Sequence, residues 1–486
     1  MSQKKMNREK NLSDQILSAF IATLISAFIN FISIPIITRF FSQSAYGTIS
    51  LFISYQNIFL SVVYLGMDQS MSRFFYEPLG KNNRKSLSTI CMGISLLAFW
   101  VIAIFLLLNW KSISYSIVNE YAFWVIFCSL IYILSQMILR YLNIISRLQK
   151  DALGYAIQAV GITIVTKLSY VLAVIVNATG KYGIMVLCGS SLILAVLMLG
   201  VKAKKSFDLK VDISVPVVKE LFKFGLPQIP VFLLSNANNS LPQLVMNIYL
   251  SREVIGIYAN AVSITSILII VQNSVNVFWA PYVYENYKVK HKSIIMVHHC
   301  VSYVMFITTL LICIFSDVIY FLLVDKAYWE SKEILPLLLV SPLCYTISET
   351  LGIGFKIAKK AYWNIVVYFV SFLTNLGLCH VLVPEWGIRG AACSVALSAV
   401  VMLILKTIIG EKYYKCTDSN VRLVISFICY GLCIVPFVAG RQKYISIVLE
   451  IFGVAFISIL YFKEAIFLLK SAIIIIKQKL LNADKK

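Results

Sequence analysis

Apolar runs of about twenty residues recur from one end of this chain to the other, and each is long enough to cross the ~30 Å hydrocarbon core of a bilayer. About fourteen such spans can be marked, at roughly 14–37, 47–67, 87–108, 121–141, 152–176, 182–200, 223–250, 254–277, 294–315, 334–355, 362–383, 387–409, 421–439 and 444–462. The connections between them alternate in charge. The N-terminus, every second loop and the C-terminus hold roughly three quarters of the 43 Lys and Arg, which by the positive-inside rule places both termini in the cytoplasm. Losing one helix from the count would reverse every later loop, so the regular alternation supports the number.

Composition excludes the soluble classes. Hydrophobic residues make up 59% and charged residues 13%, against ~25% charged in a soluble domain. A β-barrel would show short alternating segments instead. The expected fold is therefore all-α and polytopic. The net charge of +21 invites a nucleic-acid reading, but its distribution is that of a cytoplasmic rim that orients the helices and meets anionic lipid headgroups, so no nucleic-acid partner is expected. The 11 cysteines are odd in number, lie mostly inside apolar runs and form no CxxC or Cys/His cluster. They read as packing residues, with no metal or other cofactor implied. The first apolar run is too long for a cleaved signal and is expected to stay as a helix.

The chain also echoes itself. Phe41-Ser42-Gln43-Ser44-Ala45-Tyr46-Gly47 is matched by Leu250-Ser251-Arg252-Glu253-Val254-Ile255-Gly256, Tyr76-Glu77 by Tyr284-Glu285, and Tyr182-Gly183-Ile184 by Trp386-Gly387-Ile388. The order and similar offsets suggest a duplicated six-helix unit, as in many secondary transporters. The expected organisation is an N-terminal lobe over 1–205, a basic cytoplasmic linker over 206–222, a C-terminal lobe over 223–410, and spans 13 and 14 with a basic tail over 411–486. Residues 463–486 read as an amphipathic helix along the inner surface or as an extension of span 14.

Polar groups inside spans are expensive and mark function. Lys167 sits near the middle of span 5, with Thr163, Thr166 and Tyr170 on the same helical face. A lysine at that depth should face a wet cavity or an anionic partner. Arg39, Arg73 and Arg140 lie at span ends, where they anchor the boundary or extend a cationic lining toward the inner mouth. Glu349 lies two turns before Lys356, as an intramembrane ion pair or as the candidate for ion coupling. His380 and Glu450, near outer ends, read as structural. Span 7 combines Pro227, Pro230 and Pro242 with Asn236, Asn238, Asn239, Gln243 and Asn247, which predicts a helix broken at the midplane and lining a binding site, or one glued to its neighbours by amides. In span 8, Gln272 and Asn276 share a face. No phosphate-binding loop, GxSxG or HExxH motif occurs, and the longest polar loop is basic, so an enzyme is not expected.

Several short motifs together resemble a known family. Ile37-Thr38-Arg39-Phe40-Phe41 with Tyr46-Gly47, Leu65-Gly66-Met67-Asp68 with Arg73-Phe74, Phe224-Gly225-Leu226-Pro227, Gly256-Ile257-Tyr258, Ala280-Pro281 with Tyr284-Glu285, and Gly387-Ile388 with Gly390-Ala391-Ala392 are similar to the Wzx-type polysaccharide (O-antigen and capsule) flippases of the multidrug/oligosaccharidyl-lipid/polysaccharide exporter superfamily. The likeness covers about residues 15–410. Where that family often carries an acid in helix seven, this chain reads Ser240-Leu241-Pro242-Gln243. The resemblance implies two six-helix lobes around a central cavity, in the bacterial cytoplasmic membrane. It also implies translocation of a polyprenyl-diphosphate-linked oligosaccharide from the inner to the outer leaflet by alternating access, with the polysaccharide polymerase machinery as a further partner. On this reading Lys167 meets the diphosphate, Arg39, Arg73 and Arg140 guide it, and Asn236, Asn239, Asn247, Gln272 and Asn276 contact sugars. The alternative is an ion-coupled multidrug or metabolite antiporter of the same superfamily, which would need intramembrane acids such as Glu349 or Glu450. A membrane-bound glycan polymerase would need catalytic residues on a large outer loop, and the outer loops are short.

Overall fold

The computed structural model describes residues 25–26, 28–77, 83–149, 151–208, 211, 213–360, 362–438 and 443–483. Among these every regular element is helical. The first part of expected span 1, residues 14–24, lies outside them. In chain order the helices are α1 (Phe28–Phe40), α2 (Gln43–Val63), α3 (Met67–Phe74), α4 (Arg84–Leu108), α5 (Trp110–Val118), α6 (Phe123–Leu148), α7 (Ala152–Val176), α8 (Gly180–Ser206), α9 (Val215–Gly225), α10 (Ile229–Tyr249), α11 (Arg252–Asn286), α12 (His291–Ile314), α13 (Ser316–Leu323), α14 (Leu335–Leu351), α15 (Ile353–Ile357), α16 (Trp363–Tyr413), α17 (Val421–Val438), α18 (Lys443–Leu460) and α19 (Phe462–Ala483).

Within the described residues the expected spans fall on these helices, span 7 across the end of α9 and α10 and span 10 across α14 and α15. Among the described residues, eight helices are long and apolar enough to cross a membrane alone, and up to ten if each bent pair counts as one span. The remainder of the expected set is accounted for physically. α1 and α17 are shorter, amides lower the hydropathy of α10, and α16 holds spans 11 and 12. Within α16, Gly387 adopts φ 53° and ψ −129°, a conformation open to glycine but strained for other residues. The Leu382 carbonyl then lies against Gly390, so the two arms fold back on each other. The chain is a polytopic all-α membrane protein.

Helix starts follow ordinary capping chemistry. Ser42 accepts from the Ala45 amide (3.2 Å), Asn83 from Ser86 (2.9 Å) and Asp151 from Gly154 (2.9 Å). Residues 215–225, which begin in the expected basic linker, form α9 with Val217 and Leu221 buried. Of the two readings of the tail, a straight extension of span 14 is not what the structure has, since α19 leaves α18 at a bend of 84°.

The chain forms two compact units, the first of residues 1–263, 323–328 and 375–391 and the second of 264–322, 329–374 and 392–486. In the first unit, Ile138, Leu139 and Leu142 of α6 pack on Leu194 and Ala195 of α8. α10 lies along the small-residue face of α2, where Ser50 (3.0 Å) and Ser54 (2.6 Å) donate to Gln243 Oε1 and Asn236 donates to Ser61 (2.8 Å). Small polar residues let backbones approach and supply hydrogen bonds that lipid cannot. In the second unit, α12 packs against α14, α17 and α18. There His298 and Thr350 are hydrogen-bonded (2.8 Å), and Gly354 sits against the Gly410 carbonyl. Nine of the cysteines are buried, and Cys393 and Cys429 are half-buried, in keeping with packing residues.

Candidate functional site

In the first unit α7 runs unbroken, so Lys167 stands at mid-helix, half-buried. Among the described residues its ammonium has no hydrogen-bond or ion-pair partner. Around it the polar stripe splits by role. Thr163 Oγ1 lies 3.1 Å from Ser26 Oγ, tying α7 to the segment before α1. Thr166 bonds back to its own helix. Tyr170 is buried and packs edge-on against Phe41 and Tyr46 at centroid distances of 5.8 and 6.2 Å. What remains open on this face is the cation.

The three arginines do not act alike. Arg140 clasps Oδ2 of Asp68 through Nε (2.9 Å) and Nη2 (2.5 Å), with its guanidinium 4.8 Å from the centre of the Tyr64 ring. Asp68 is 2% exposed, and a buried carboxylate needs such a partner. The charge of Arg140 is therefore balanced within the fold. Arg73 pairs with Glu77 at 2.7 Å on the surface and lies over Phe74. Arg39 is exposed at the end of α1.

The expected midplane break in span 7 does not occur. α10 continues through Pro242, and the irregular turn is the 3₁₀ segment Leu226–Gln228, at the entrance, containing Pro227. The reason is local. Pro242 has no N–H to give the carbonyl four residues back, at Asn238. Asn375 Nδ2 reaches that carbonyl at 3.0 Å and the Asn238 side-chain oxygen at 2.9 Å, so the freed acceptor is satisfied and the helix holds. Asn247 donates to the Ser116 carbonyl (2.8 Å), and Asn236 is held by Ser61. Asn239 is exposed and has no hydrogen-bond partner among the described residues. Most amides of span 7 therefore join helices.

In the second unit Glu349 is held on both sides. Lys356 Nζ lies 2.7 Å from Oε2 and Lys406 Nζ 2.5 Å from Oε1. Lys406 is 1% exposed, and its ammonium sits 5.3 and 5.1 Å from the ring centres of Tyr345 and Tyr368. Both carboxylate oxygens are occupied, and the trio carries one surplus positive charge. Gln272 is half-buried and Asn276 exposed on α11. Glu450 is buried, and neither of its carboxyl oxygens has a hydrogen-bond partner among the described residues.

Three contacts escaped the sequence reading: Asp68 with Arg140, Lys406 with Glu349, and Asn375 with Asn238. Each was signalled only by a polar residue inside an apolar run, without its partner.

No protein-family model matches the chain, and no curated protein does. Solved structures do. A lipid II flippase, MurJ, in an inward closed conformation superposes with a TM-score of 0.66 at 15% identity, covering 93% of this chain and 99% of that one. An inward-facing multidrug resistance MATE family transporter of the MOP superfamily gives 0.59 at 14%, covering 81% and 97%. The MATE multidrug transporter DinF-BH, solved as a complex, gives 0.60 at 14%, covering 84% and 96%. The chain is thus a polytopic membrane protein with the fold of the MOP-superfamily transporters. Among those neighbours are a lipid II flippase and multidrug transporters.

Proposed function

We propose that this protein flips a polyprenyl-diphosphate-linked oligosaccharide from the inner to the outer leaflet of a bacterial cytoplasmic membrane by alternating access, with both termini cytoplasmic and surface polysaccharide as the end product. The carrying observation is Lys167, a cation held at mid-span without a partner among the described residues. A lysine at the helix centre costs ~2.5–3.5 kcal/mol on insertion scales. An anionic cargo that enters and leaves accounts for tolerating it. A diphosphate suits an ammonium, which binds phosphate as a point charge. The length-wide likeness to a lipid II flippase supports a lipid-linked cargo. Arg39, exposed nearby in sequence to the first echoed motif, is the cation best free to guide a headgroup, and Asn239, Gln272 and Asn276 are the amides open to sugars.

The lobes over 1–205 and 223–410, joined through 206–222 and followed by 411–486, are the bodies that would rock. The test is a strain lacking the gene. Its lipids should accumulate the polyprenyl-diphosphate oligosaccharide, seen by mass spectrometry, while surface polymer is lost. Unchanged lipid and polymer pools, with no second flippase present, would sink the proposal.

One observation favours the antiporter reading. Glu450 is a buried acid with no hydrogen-bond partner among the described residues, of the kind an ion-coupled antiporter needs. Under the flippase reading Glu450→Gln leaves transport intact. Loss of drug export or of ion-driven flux in that variant, with cargo flipping unaffected by Lys167→Ala, would reverse the order of the two.

A further inference from the structure

We infer that the linker helix α9 and the inner half of α4 form a binding site for an anionic phospholipid, separate from the transported cargo. Between them lies a cavity of about 620 Å³, lined almost wholly by apolar side chains. α4 contributes Gly93 and Leu97, on one helical face, and the linker side contributes Ile213, Val218 and Phe222. That volume is within the ~300–1,000 Å³ of small-ligand sites.

α9 is built for an interface. Val217 and Leu221 are buried in the protein, Val218 and Phe222 face the cavity, and Lys219 and Lys223 are exposed. Ile213, just before it, is 68% exposed and Val215, its first residue, 81% exposed, which suits hydrocarbon rather than water. The site is held in place by pairing along the start of α4. Thr89 Oγ1 donates to the Asp208 carbonyl (2.9 Å) and accepts from the Asp208 amide (3.0 Å), and Lys85 Nζ donates to the Lys204 carbonyl (2.8 Å).

Charge identifies the occupant. Exposed Lys85 on α4 and Lys219 and Lys223 on α9 lie on the elements that line the cavity, and exposed Lys204 and Lys205 end α8, which Lys85 joins to the start of α4. Of the acids described there, Glu220 pairs with Lys223 (3.4 Å) and Asp208 is reached by the Asn83 amide (3.4 Å). An apolar slot framed by lysines fits one acyl chain below an anionic headgroup. Lysines near a membrane surface attract such headgroups at about 1 kcal/mol each.

The test is photocrosslinking from p-benzoylphenylalanine at position 222, in vesicles of equal phosphatidylglycerol and phosphatidylcholine with matched chains. The phosphatidylglycerol adduct should exceed the phosphatidylcholine adduct by roughly fivefold for each lysine that reaches the headgroup. Lys204→Gln with Lys205→Gln and Lys219→Gln should bring the ratio toward one. Gly93→Phe should suppress both adducts, because a side chain added at Gly93 meets no atom within 4 Å and grows into the cavity. Gly93→Leu serves the same purpose if the phenylalanine variant fails to elute as a folded protein. Equal adducts in the parent protein would reduce the cavity to ordinary lipid contact and overturn the inference. Displacement of phosphatidylglycerol by added polyprenyl phosphate would overturn it in favour of the cargo's own tail. Neither outcome depends on whether the protein flips an oligosaccharide.

Discussion

Gly47 on α2 and Gly256 on α11 touch backbone to backbone, and the contact is reciprocal. A Cβ on Gly47 would lie 2.0 Å from the Arg252 carbonyl oxygen, and one on Gly256 would lie 2.0 Å from the Gln43 carbonyl oxygen. Gln43 and Arg252 each stand one turn before their glycine. The first pair of echoed segments therefore meets itself, each copy presenting the same surface. Arg252 fixes this end by donating to the Ile117 carbonyl and to Asn119 Oδ1.

Alanine at either glycine must push the two helices apart, because the obstructing atoms are backbone. Gly47→Ala or Gly256→Ala should lower the thermal unfolding midpoint of the purified protein, with a loss of ~1–3 kcal/mol as for other overpacked sites. Gly189→Ala, where an added Cβ meets nothing, should leave it unchanged. If the crossing also closes one end of the transport path, the two alanine variants flip cargo several-fold more slowly than Gly189→Ala. Equal unfolding midpoints for all three would show that the crossing separates at no cost.

Lys167 gives a sharper expectation for transport than for folding. Its ammonium holds no partner among the described residues, so Lys167→Ala removes no hydrogen bond or ion pair seen there and should not lower expression or the unfolding midpoint. If the cargo is the proposed diphosphate-linked oligosaccharide, flipping should fall at least tenfold, since each ~1.4 kcal/mol of lost interaction is a factor of ten. Lys167→Arg, which keeps the charge, should retain more activity than Lys167→Ala. Full flipping by well-expressed Lys167→Ala, measured as restored surface polymer, would remove Lys167 from the proposal.

The fold was legible because apolar run length and loop charge report membrane crossing without reference to packing. Gly387 was visible as the glycine of a repeated motif, and its positive φ explains why spans 11 and 12 separate there. The partners were hidden, because an apolar run does not say which helix lies beside it. Asp68 reads from the sequence as a neighbour of Arg73, yet packing gives it to Arg140. Pro242 reads as a break, yet Asn375, distant in sequence, supplies the donor that keeps α10 whole. Lys406 carries no mark in the sequence that ties it to Glu349, 57 residues earlier, and only the packing of the second unit brings the two together.

The Asp68–Arg140 pair predicts asymmetric costs. Asp68 is 2% exposed and Arg140 39%, so water screens the arginine more than the aspartate. Arg140→Ala strands a buried carboxylate and should cost about 3 kcal/mol, near the lower end for breaking a buried pair. Asp68→Asn leaves an arginine that can still reach water and the Tyr64 ring, and should cost less. The double variant should recover part of the Arg140→Ala loss. Unfolding midpoints of the three proteins in one detergent decide this, and additive losses would mean the two charges are not coupled.

The Lys356–Glu349–Lys406 trio separates a structural acid from an ion-coupling one. Glu349→Gln leaves two lysines facing each other with a net charge of two, whereas Lys406→Met leaves the neutral Glu349–Lys356 pair. Removing the acid should therefore be the more damaging change, by about 3–5 kcal/mol against ~1–2 for Lys406→Met. Glu349→Gln together with Lys406→Met should be more stable than Glu349→Gln alone. Flipping is then measured in that double variant, in which the fold is relieved but no carboxylate is present. Retained flipping assigns Glu349 to holding α14 and α16 together; loss of flipping at a normal unfolding midpoint would make it the ion-coupling group instead.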